Sequence, residues 1–404
     1  NDAGTLLRGE PGTTVDVEVK REGMPSTMEF TLMREKVRLQ NVTHRSFVGQ
    51  GIGYVKLERF TRRAGPEVRD AIKALREEGT LNGLVLDLRG NPGGLLDAAV
   101  DVSELFVPNG SVIVSTRGRS ADTERIYRSE RTPLLRTVPL VVLVNGFSAS
   151  ASEIVAGAVQ DLDRGVVMGT TTYGKGLVQV VRSLPHNTSL KMTTAKYYTP
   201  SGRSIQSIDY ARGDTSVVPD SLLRTFETAN GRTVRDQHGI EPDVTVELPD
   251  ASPLETALQQ RAAFFFFANH YAAQRDTLSD NFVVSSADVE AFQEWLQRED
   301  VAYPTTAERA VASLEEQFAG EDFAEVRDEV KALQTALQRE REEDFQEHET
   351  AIKHRLEEEI LARFATESQQ VAASLQHDPQ VEAAVDLLID TARYTSLLTP
   401  NASR

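Results

Sequence analysis

The sequence predicts a layered α/β core followed by a helical segment. Between about residues 41 and 249, short apolar segments alternate with segments of helical apolar spacing, a pattern typical of layered α/β domains. After residue 249, apolar residues recur at three- and four-residue steps among charged ones, which is typical of helices. With 404 residues, of which 40% are hydrophobic, the chain is long enough for two or three units.

Strands and helices alternate in the first part of the predicted core. The predicted strands are 54–57, 84–88, 112–116, 140–145 and 166–169, and the helices are 65–78, 95–106 and 153–162. After residue 175 the pattern changes to consecutive strands, and these are 178–182, 189–194 and 195–199, with a turn at 199–202. The polar segment 207–236 is predicted as a long loop that either borders a cleft or is mobile.

Segments outside this core have their own patterns. The first 36 residues contain a helix end, a Pro-Gly turn and a strand in which Val15, Val17 and Val19 alternate with polar residues. Beyond residue 249, helices are predicted at 254–276 and 286–299 and in the charged run 321–364. The apolar spacing of the charged run suits a coiled coil or dimer helix. Because its middle section has few apolar residues, a long helix with a solvated middle is an equally good interpretation.

A serine-rich turn follows the predicted strand 140–145. The segment Ser148-Ala149-Ser150-Ala151-Ser152-Glu153 leads into the predicted helix 153–162, so its serines lie at a helix N-terminus. Free backbone N–H groups and the helix dipole favour negative charge there, which suits the oxyanion of an acyl-transfer enzyme. The same residues also suit a helix cap and a packing face. Spacing alone does not choose among Ser148, Ser150 and Ser152.

A lysine between two glycines, Lys175, follows Ser150 later in the chain. This is the layout of a serine nucleophile with a lysine base. A free lysine has a pKa of about 10.4, so it can take the serine proton only if burial lowers that pKa. The β-rich, weakly charged surroundings of Lys175 predict such a desolvated site.

A glycine-rich turn, Gly90-Asn91-Pro92-Gly93-Gly94, follows the predicted strand 84–88. Its glycines let backbone amides approach a ligand closely. In isolation the turn is typical of a simple strand-to-helix connection. Its spacing matches neither the dinucleotide-binding motif nor the P-loop.

Five motifs occur in one order along the chain. They are Gly51-Ile52-Gly53-Tyr54-Val55, Asp87-Leu88-Arg89-Gly90-Asn91-Pro92-Gly93-Gly94, Val144-Asn145 with Ser148-Ala149-Ser150-Ala151-Ser152-Glu153, Tyr173-Gly174-Lys175-Gly176 and Tyr198-Thr199-Pro200-Ser201-Gly202-Arg203. In this order they resemble the carboxy-terminal processing peptidases, serine peptidases of family S41 that are also called tail-specific proteases. The resemblance covers about residues 5–249 and implies a ClpP/crotonase-like layered peptidase core at 37–249.

The resemblance implies a role for several residues. It makes Ser150 the nucleophile, Lys175 the general base and Gln179 the residue that orients the lysine. The implied oxyanion hole consists of the amide of Ala151 and that of a glycine in the turn, and the choice between Gly93 and Gly94 stays open. The implied reaction is endoproteolytic cleavage of protein substrates near accessible C-termini, with no cofactor and no metal.

The segments on either side of the core acquire expected roles from the same resemblance. Residues 1–36 would be the end of a PDZ domain, which captures a substrate C-terminus as an added strand. The carboxylate-binding loop of that domain and any signal peptide would precede residue 1. The resemblance also implies an exported enzyme of the periplasm or cell envelope, with membrane-associated substrates or an adaptor as further partners. The helical extension 250–404 is expected to support homo-oligomerisation or to shield the cleft.

Composition excludes other classes of function. A net charge of −17 argues against nucleic-acid binding, which needs basic patches. The absence of cysteine excludes disulfides, thiol catalysis and cysteine-type zinc sites. None of the seven histidines lies in the motifs, and His238 is interpreted as structural. No segment approaches the roughly 18 uninterrupted apolar residues of a membrane span.

Two other functions remain compatible with the same sequence. Proteins with this core that bind small apolar ligands without cleaving them should have lost the serine and lysine, and both are present here. A scaffolding role would make the charged helices after residue 249 the working part of the chain, with proteolysis secondary.

Overall fold

The computed structural model describes residues 2–21, 26–37, 40–119, 124–186, 188–207, 223–236, 238–279, 282–301, 303–318 and 324–400. The chain divides into two compact units. One comprises Asn1–Arg38 and Pro249–Gln370, and the other comprises Leu39–Leu248 and Val371–Arg404. None of the helices in the described part of the chain has both the length and the apolar composition that a membrane crossing requires.

The N-terminal segment contains a short helix and a β-hairpin. They are α1 (Asp2–Leu7), β1 (Thr14–Val19) and β2 (Met28–Met33). The two strands pair antiparallel, with Thr14 opposite Met33 and Val19 opposite Met28. The predicted strand 15–19 is thus confirmed, whereas its hairpin partner was not predicted.

The second unit contains the strands and helices of the core. In chain order they are β3 (Val42–Phe47), β4 (Ile52–Leu57), α2 (Ala64–Glu78), β5 (Gly83–Asp87), α3 (Leu96–Ser103), β6 (Val112–Gly118), β7 (Arg125–Arg128), β8 (Leu140–Val144), α4 (Ala151–Asp161), β9 (Val166–Gly169), β10 (Leu177–Leu184), β11 (Thr188–Tyr198), β12 (Thr225–Glu227), β13 (Thr233–Arg235) and β14 (Val244–Thr245). This order confirms the alternation that the apolar pattern predicts.

The main sheet, counted over the described residues, has six strands in the order β14-β9-β8-β5-β4-β3. All neighbouring strands are parallel except β3 and β4, which pair antiparallel. Every residue of β5 and β8 is buried, as expected for strands covered on both faces. The carboxyl ends of β5, β8 and β9 therefore lie side by side at one edge of the sheet.

A second sheet and a separate hairpin account for the remaining core strands in the described ranges. The second sheet has the order β10-β11-β6-β7, and β12 pairs with β13. The segment predicted as two strands, 189–194 and 195–199, is one strand, β11, because no turn residue interrupts it. Part of the predicted loop 207–236 is the β12–β13 hairpin, and residues 208–222 of that loop lie outside the described residues.

Nine further α-helices follow in the described part of the chain. They are α5 (Pro253–Gln260), α6 (Ala263–Ala273), α7 (Ser286–Arg298), α8 (Thr306–Phe318), α9 (Ala324–Glu347), α10 (Glu349–Phe364), α11 (Glu367–Ser374), α12 (Pro379–Ile389) and α13 (Thr391–Leu397). The predicted helix 254–276 breaks at Ala262, which has a left-handed φ of 51°. The predicted run 321–364 breaks at His348, between α9 and α10.

The helices between Pro249 and Gln370 have their own core. Its main side chains are Phe264, Phe267, Phe292 and Trp295. The repeat Ile352, Leu356 and Ile360 of α10 is fully buried in this core. For α10, the structure therefore differs from the coiled-coil interpretation, because its apolar stripe already packs within its own unit.

Helices cover both faces of the main sheet. On one face, alternate residues of the strands pack against α2, α3 and α4. On the other face they pack against α12 and α13, through Val381, Ala384, Leu387, Leu388 and Tyr394. The Tyr394 hydroxyl also exchanges hydrogen bonds with the backbone of Leu140 in β8, at 2.9 and 3.0 Å. The sequence-based division placed all residues after 249 in one extension, whereas here the described residues 371–400 belong to the same unit as the core.

A fully buried carboxylate lies at the end of β5. Asp87 accepts hydrogen bonds from Tyr54 Oη at 2.6 Å and from Arg89 Nη2 at 2.7 Å, and Lys56 Nζ lies 3.2 Å from it. Burial alone would raise the pKa of Asp87, but Arg89, Lys56 and these hydrogen bonds outweigh it and lower the pKa to about 2. The ionised form of Asp87 is therefore strongly favoured in the folded chain.

We expect Asp87 to make the fold sensitive to acid. Since its pKa is lower in the folded chain than in the unfolded one, its contribution is present above about pH 4 and disappears as the pH falls toward 2. Urea unfolding should show the free-energy gap between the parent chain and Asp87→Asn shrinking by about 2 kcal/mol over this window. Asp70→Asn, an exposed change on α2, is the matched control. A gap that stays constant with pH would contradict this expectation.

Candidate active site

Three turns meet at the edge where β5, β8 and β9 end. The glycine turn 90–94 follows β5, the serine turn 145–150 follows β8, and the segment 170–176 follows β9. Because the carboxyl ends of neighbouring parallel strands lie together, the topology alone brings these three segments side by side. A hydrogen bond of 3.0 Å from Tyr173 N to Ser148 O joins the last two.

Ser150 has an unusual backbone conformation. Helix α4 begins at Ala151, two residues before the predicted start, and Ser150 precedes it with φ 56° and ψ −108°. A non-glycine residue at positive φ is rare and strained, and such strain occurs often at active sites. The surrounding turn therefore holds Ser150 in a conformation that the residue would not adopt by itself.

The structure distinguishes the three serines that spacing left equivalent. Ser148 and Ser152 are fully buried, and their hydroxyls donate to Leu88 O at 2.8 Å and to Asn91 O at 2.9 Å. Ser150 is half-buried, and its hydroxyl donates to no group among the described residues. The hydroxyl proton of Ser150 is thus free for transfer. Ser150 is the N-cap of α4, and the Ser152 hydroxyl instead links α4 to the glycine turn.

The glycine turn contacts the start of α4 directly. Gly93 has φ 94°, and a side chain there would meet Ala149 O at 2.5 Å and Ala151 N at 2.8 Å. Gly94 has φ 155°, and a side chain there would meet Phe60 O at 2.2 Å. Both positions therefore require glycine. The close approach brings the backbone of the turn against the free amide end of α4.

The two glycine amides differ in their hydrogen bonds. The amide of Gly93 donates to Asn91 Oδ1 at 2.9 Å. The neighbouring groups Gly93 O and Leu95 N pair with Phe60, so the amide of Gly94 points to the opposite side of the segment. It has no acceptor among the described residues.

Asn91 fixes the turn from within. It is fully buried, and its Nδ2 donates to Leu57 O at 2.7 Å. Its carbonyl oxygen accepts from Ala149 N at 3.0 Å and from Ser152 Oγ at 2.9 Å. One residue thus connects the glycine turn with β4 and with the serine turn.

Glu153, in the first turn of α4, joins the serine turn to the lysine segment. Its buried carboxylate accepts from the backbone amides of Ser150 at 2.7 Å, Gly174 at 2.6 Å and Lys175 at 2.9 Å. The Thr172 hydroxyl also donates to it, at 2.6 Å. Burial raises the pKa of the Glu153 carboxyl, while these four donors oppose the shift.

Lys175 and Gln179 lie on the adjoining segment, and both are exposed. The prediction of a desolvated Lys175 is therefore wrong for this structure, because the residue is exposed to solvent. No hydrogen bond joins Ser150 Oγ to Lys175 Nζ in the described part of the chain. At Gln179 the pairing of β10 with β11 shifts register, because β11 has one extra residue, Thr194, between the partners of Val178 and Gln179.

Exposed apolar side chains accompany all three turns. Leu95 is 47% exposed, Phe147 is 74% exposed and Tyr173 is 55% exposed. Each belongs to one of the segments that carry Gly94, Ser150 and Lys175. We call these three side chains the apolar rim.

Sequence reasoning missed the roles of Asn91 and Glu153. Both residues lie in the motifs, but charged and amide side chains in turns are usually solvated or serve as caps. A glutamate three residues after Ser150 was the available signal, since a side chain at that position can reach back to the preceding backbone amide.

Two families match parts of this chain. Residues 51–221 match peptidase family S41, and residues 254–388 match the C-terminal helical domain of a probable PDZ-protease. The carboxy-terminal-processing protease of Bartonella bacilliformis is 42% identical over 211 residues, which is 52% of this chain and 48% of that protein. The carboxy-terminal processing protease CtpA of Bacillus subtilis is 31% identical, over 63% of this chain and 47% of that protein.

A solved structure is similar as well. The photosystem II D1 C-terminal processing protease is 31% identical, with a TM-score of 0.40, over 61% of this chain and 58% of that protein. The chain spans about half the length of the curated relatives it matches.

We expect Glu153→Gln to loosen the connection between the serine turn and the lysine segment. A glutamine would turn its amide N–H groups toward backbone amides that also donate, leaving buried donors without an acceptor. Urea unfolding should show a loss of about 1–3 kcal/mol at neutral pH. Glu77→Gln, on an exposed position of α2, is the control and should be neutral. Equal stability of the Glu153 variant and the parent would contradict the bridging role.

Proposed function

We propose that this chain, which belongs to peptidase family S41, is a serine endopeptidase that cleaves protein substrates near their C-termini. The observation that carries the proposal is the state of Ser150. Of Ser148, Ser150 and Ser152, only Ser150 has a strained backbone and a hydroxyl that donates to no group among the described residues. The amide of Ala151 follows it directly. Close sequence similarity to carboxy-terminal processing proteases supports the choice of substrate.

The proposed reaction begins with Lys175 in its neutral form. Lys175 Nζ takes the proton of Ser150 Oγ as that oxygen attacks the scissile carbonyl carbon. The tetrahedral oxyanion collapses, the C–N bond breaks, and the departing amine takes the proton from Lys175. Water, deprotonated by Lys175, then hydrolyses the acyl ester on Ser150 and restores the enzyme. Gln179 orients the lysine in this scheme.

Two backbone amides would hold the oxyanion. The amide of Ala151 has no acceptor among the described residues, and at the N-terminus of α4 the helix dipole also favours negative charge. For the second donor we choose Gly94 over Gly93, because the amide of Gly93 already donates to Asn91 Oδ1. The pairing of its neighbours with Phe60 leaves the amide of Gly94 unused on the other side of the segment.

Lys175 has to move before it can act. A substrate placed across the three turns would exclude water from Lys175 and bring its amine toward Ser150 Oγ. An exposed lysine in the free chain is compatible with this scheme, because catalytic contacts often form only with substrate bound.

The surroundings of the site suggest how substrates bind. The apolar rim offers contact to apolar side chains of the substrate near the scissile bond. We assign the β1–β2 hairpin to a PDZ domain that captures the substrate C-terminus. We further propose that the enzyme is exported to the periplasm or cell envelope. There it would act with an adaptor or as a homo-oligomer.

We expect Ser150→Ala and Lys175→Ala each to abolish cleavage and leave the fold intact, because each removes one partner of the proton transfer. The test incubates the purified chain with a loosely folded protein that has an apolar C-terminus, from about pH 7 to about pH 9, and identifies products by mass spectrometry.

Two control variants make the same serine-to-alanine and lysine-to-alanine changes away from the site. Ser183→Ala and Lys191→Ala alter exposed residues of β10 and β11 and should leave cleavage unchanged. Cleavage that survives Ser150→Ala would exclude Ser150 as nucleophile. If the folded parent cleaves nothing over the whole pH range, a binding or scaffolding role on the same core would replace the peptidase proposal.

A further inference from the structure

Arg89 immediately precedes the glycine turn, and its side chain is held by two carboxylates, those of Asp87 and Asp378. Its guanidinium donates to Asp87 through Nε at 3.0 Å and Nη2 at 2.7 Å. Its own backbone carbonyl accepts from Lys56 Nζ at 2.9 Å, and the next amide, Gly90 N, donates to Asn145 Oδ1 at 3.0 Å. The path of the chain into the turn therefore depends on where the Arg89 side chain is held.

The other anchor of Arg89 is the first residue before the C-terminal helix α12. Asp378 Oδ1 lies 3.1 Å from Arg89 Nη1, and Asp378 Oδ2 lies 2.7 Å from Nη2. Gln380 Oε1 accepts from Nη1 as well, at 2.9 Å. The Arg89 and Asp378 side chains are largely buried, with 12% and 15% exposure, so water screens this ion pair little.

Asp378 also ties this ion pair to the packing of α12. Its carboxylate accepts from the backbone amides of Gln380 and Val381 at 3.0 and 3.1 Å and so caps the helix. The Gln380 side chain donates to Val246 O, beside β14. Helix α12 then packs its apolar side chains on the main sheet. Asp378 therefore contacts Arg89 from the start of α12, a helix whose position is fixed by its packing on the main sheet.

We propose that Asp378 is a positioning residue that holds the oxyanion-binding turn in place through Arg89. This inference rests on the proposed peptidase function for its catalytic consequence. The chain of contacts runs from α12 through Asp378 and Arg89 to the backbone of residues 89–94, where the amide of Gly94 lies. Asp378 touches no reacting atom in this scheme.

A displaced oxyanion donor has a characteristic kinetic effect. The oxyanion exists in the transition state and not in the bound substrate, so a misplaced donor lowers kcat and leaves KM nearly unchanged. Loss of a whole donor costs about 100- to 1,000-fold in kcat, so a displaced one should cost less. We expect kcat to fall about 5- to 30-fold when the Asp378 contact is weakened.

The test compares two aspartate-to-asparagine changes at helix starts. Asp378→Asn keeps a capping oxygen for α12, because asparagine caps as well as aspartate, but removes the charge that holds Arg89. Asp390→Asn makes the same change at the start of α13, where the carboxylate accepts from Arg393 N. We expect the Asp378 variant to lose kcat at unchanged KM and the Asp390 variant to match the parent.

Amide hydrogen exchange of the same three proteins supplies a readout that needs no activity. Residues 89–94 should exchange faster in Asp378→Asn than in the parent or in Asp390→Asn, while the strands β5 and β8 keep their protection. Unchanged exchange in the turn, or a rise in KM at constant kcat, would overturn the proposal. If the parent chain cleaves nothing, the peptidase function fails, and the exchange comparison still decides whether Asp378 holds the turn.

Discussion

The buried carboxylate of Glu153 is the interaction on which the candidate active site depends. Parallel strands bring three turns to one edge of the sheet, but neighbouring turns on strand ends are free to diverge. Glu153 prevents this, since it accepts from the amide of Ser150 and from those of Gly174 and Lys175. The positive φ of Ser150 is held by these contacts together with those that Asn91 O accepts from Ala149 N and Ser152 Oγ. A group with no part in the proposed chemistry thus determines where the proposed reacting groups lie.

Much of the core was predictable from sequence because its elements satisfy strong local rules. Fully buried parallel strands such as β5 and β8 are continuous apolar runs, and α2 has a clear apolar stripe. The motif order also led to Ser150, which the structure then distinguishes from its neighbours by hydrogen bonding. The roles of Lys175 and Gln179 stay proposals, since both side chains are exposed in this structure.

The remaining features depend on contacts between distant residues and leave little local signal. Nothing in the sequence around Asp378 shows that it meets Arg89, 289 positions earlier, and its local pattern is that of an ordinary helix cap. Helix α12 was likewise assigned to the extension, because an amphipathic helix does not reveal which surface it covers. Breaks such as Ala262 and His348 were missed since neither residue is a strong helix breaker.

The packing of α12 and α13 on the main sheet has a consequence for synthesis of the chain. A ribosome delivers the N-terminal residues first, and domains generally begin to fold in that order. Here one face of the central sheet stays uncovered until α12 and α13 have emerged, because Val381, Leu388 and Tyr394 cover it. The apolar strands of the nascent core therefore stay exposed on that face until residues 379–397 have been made.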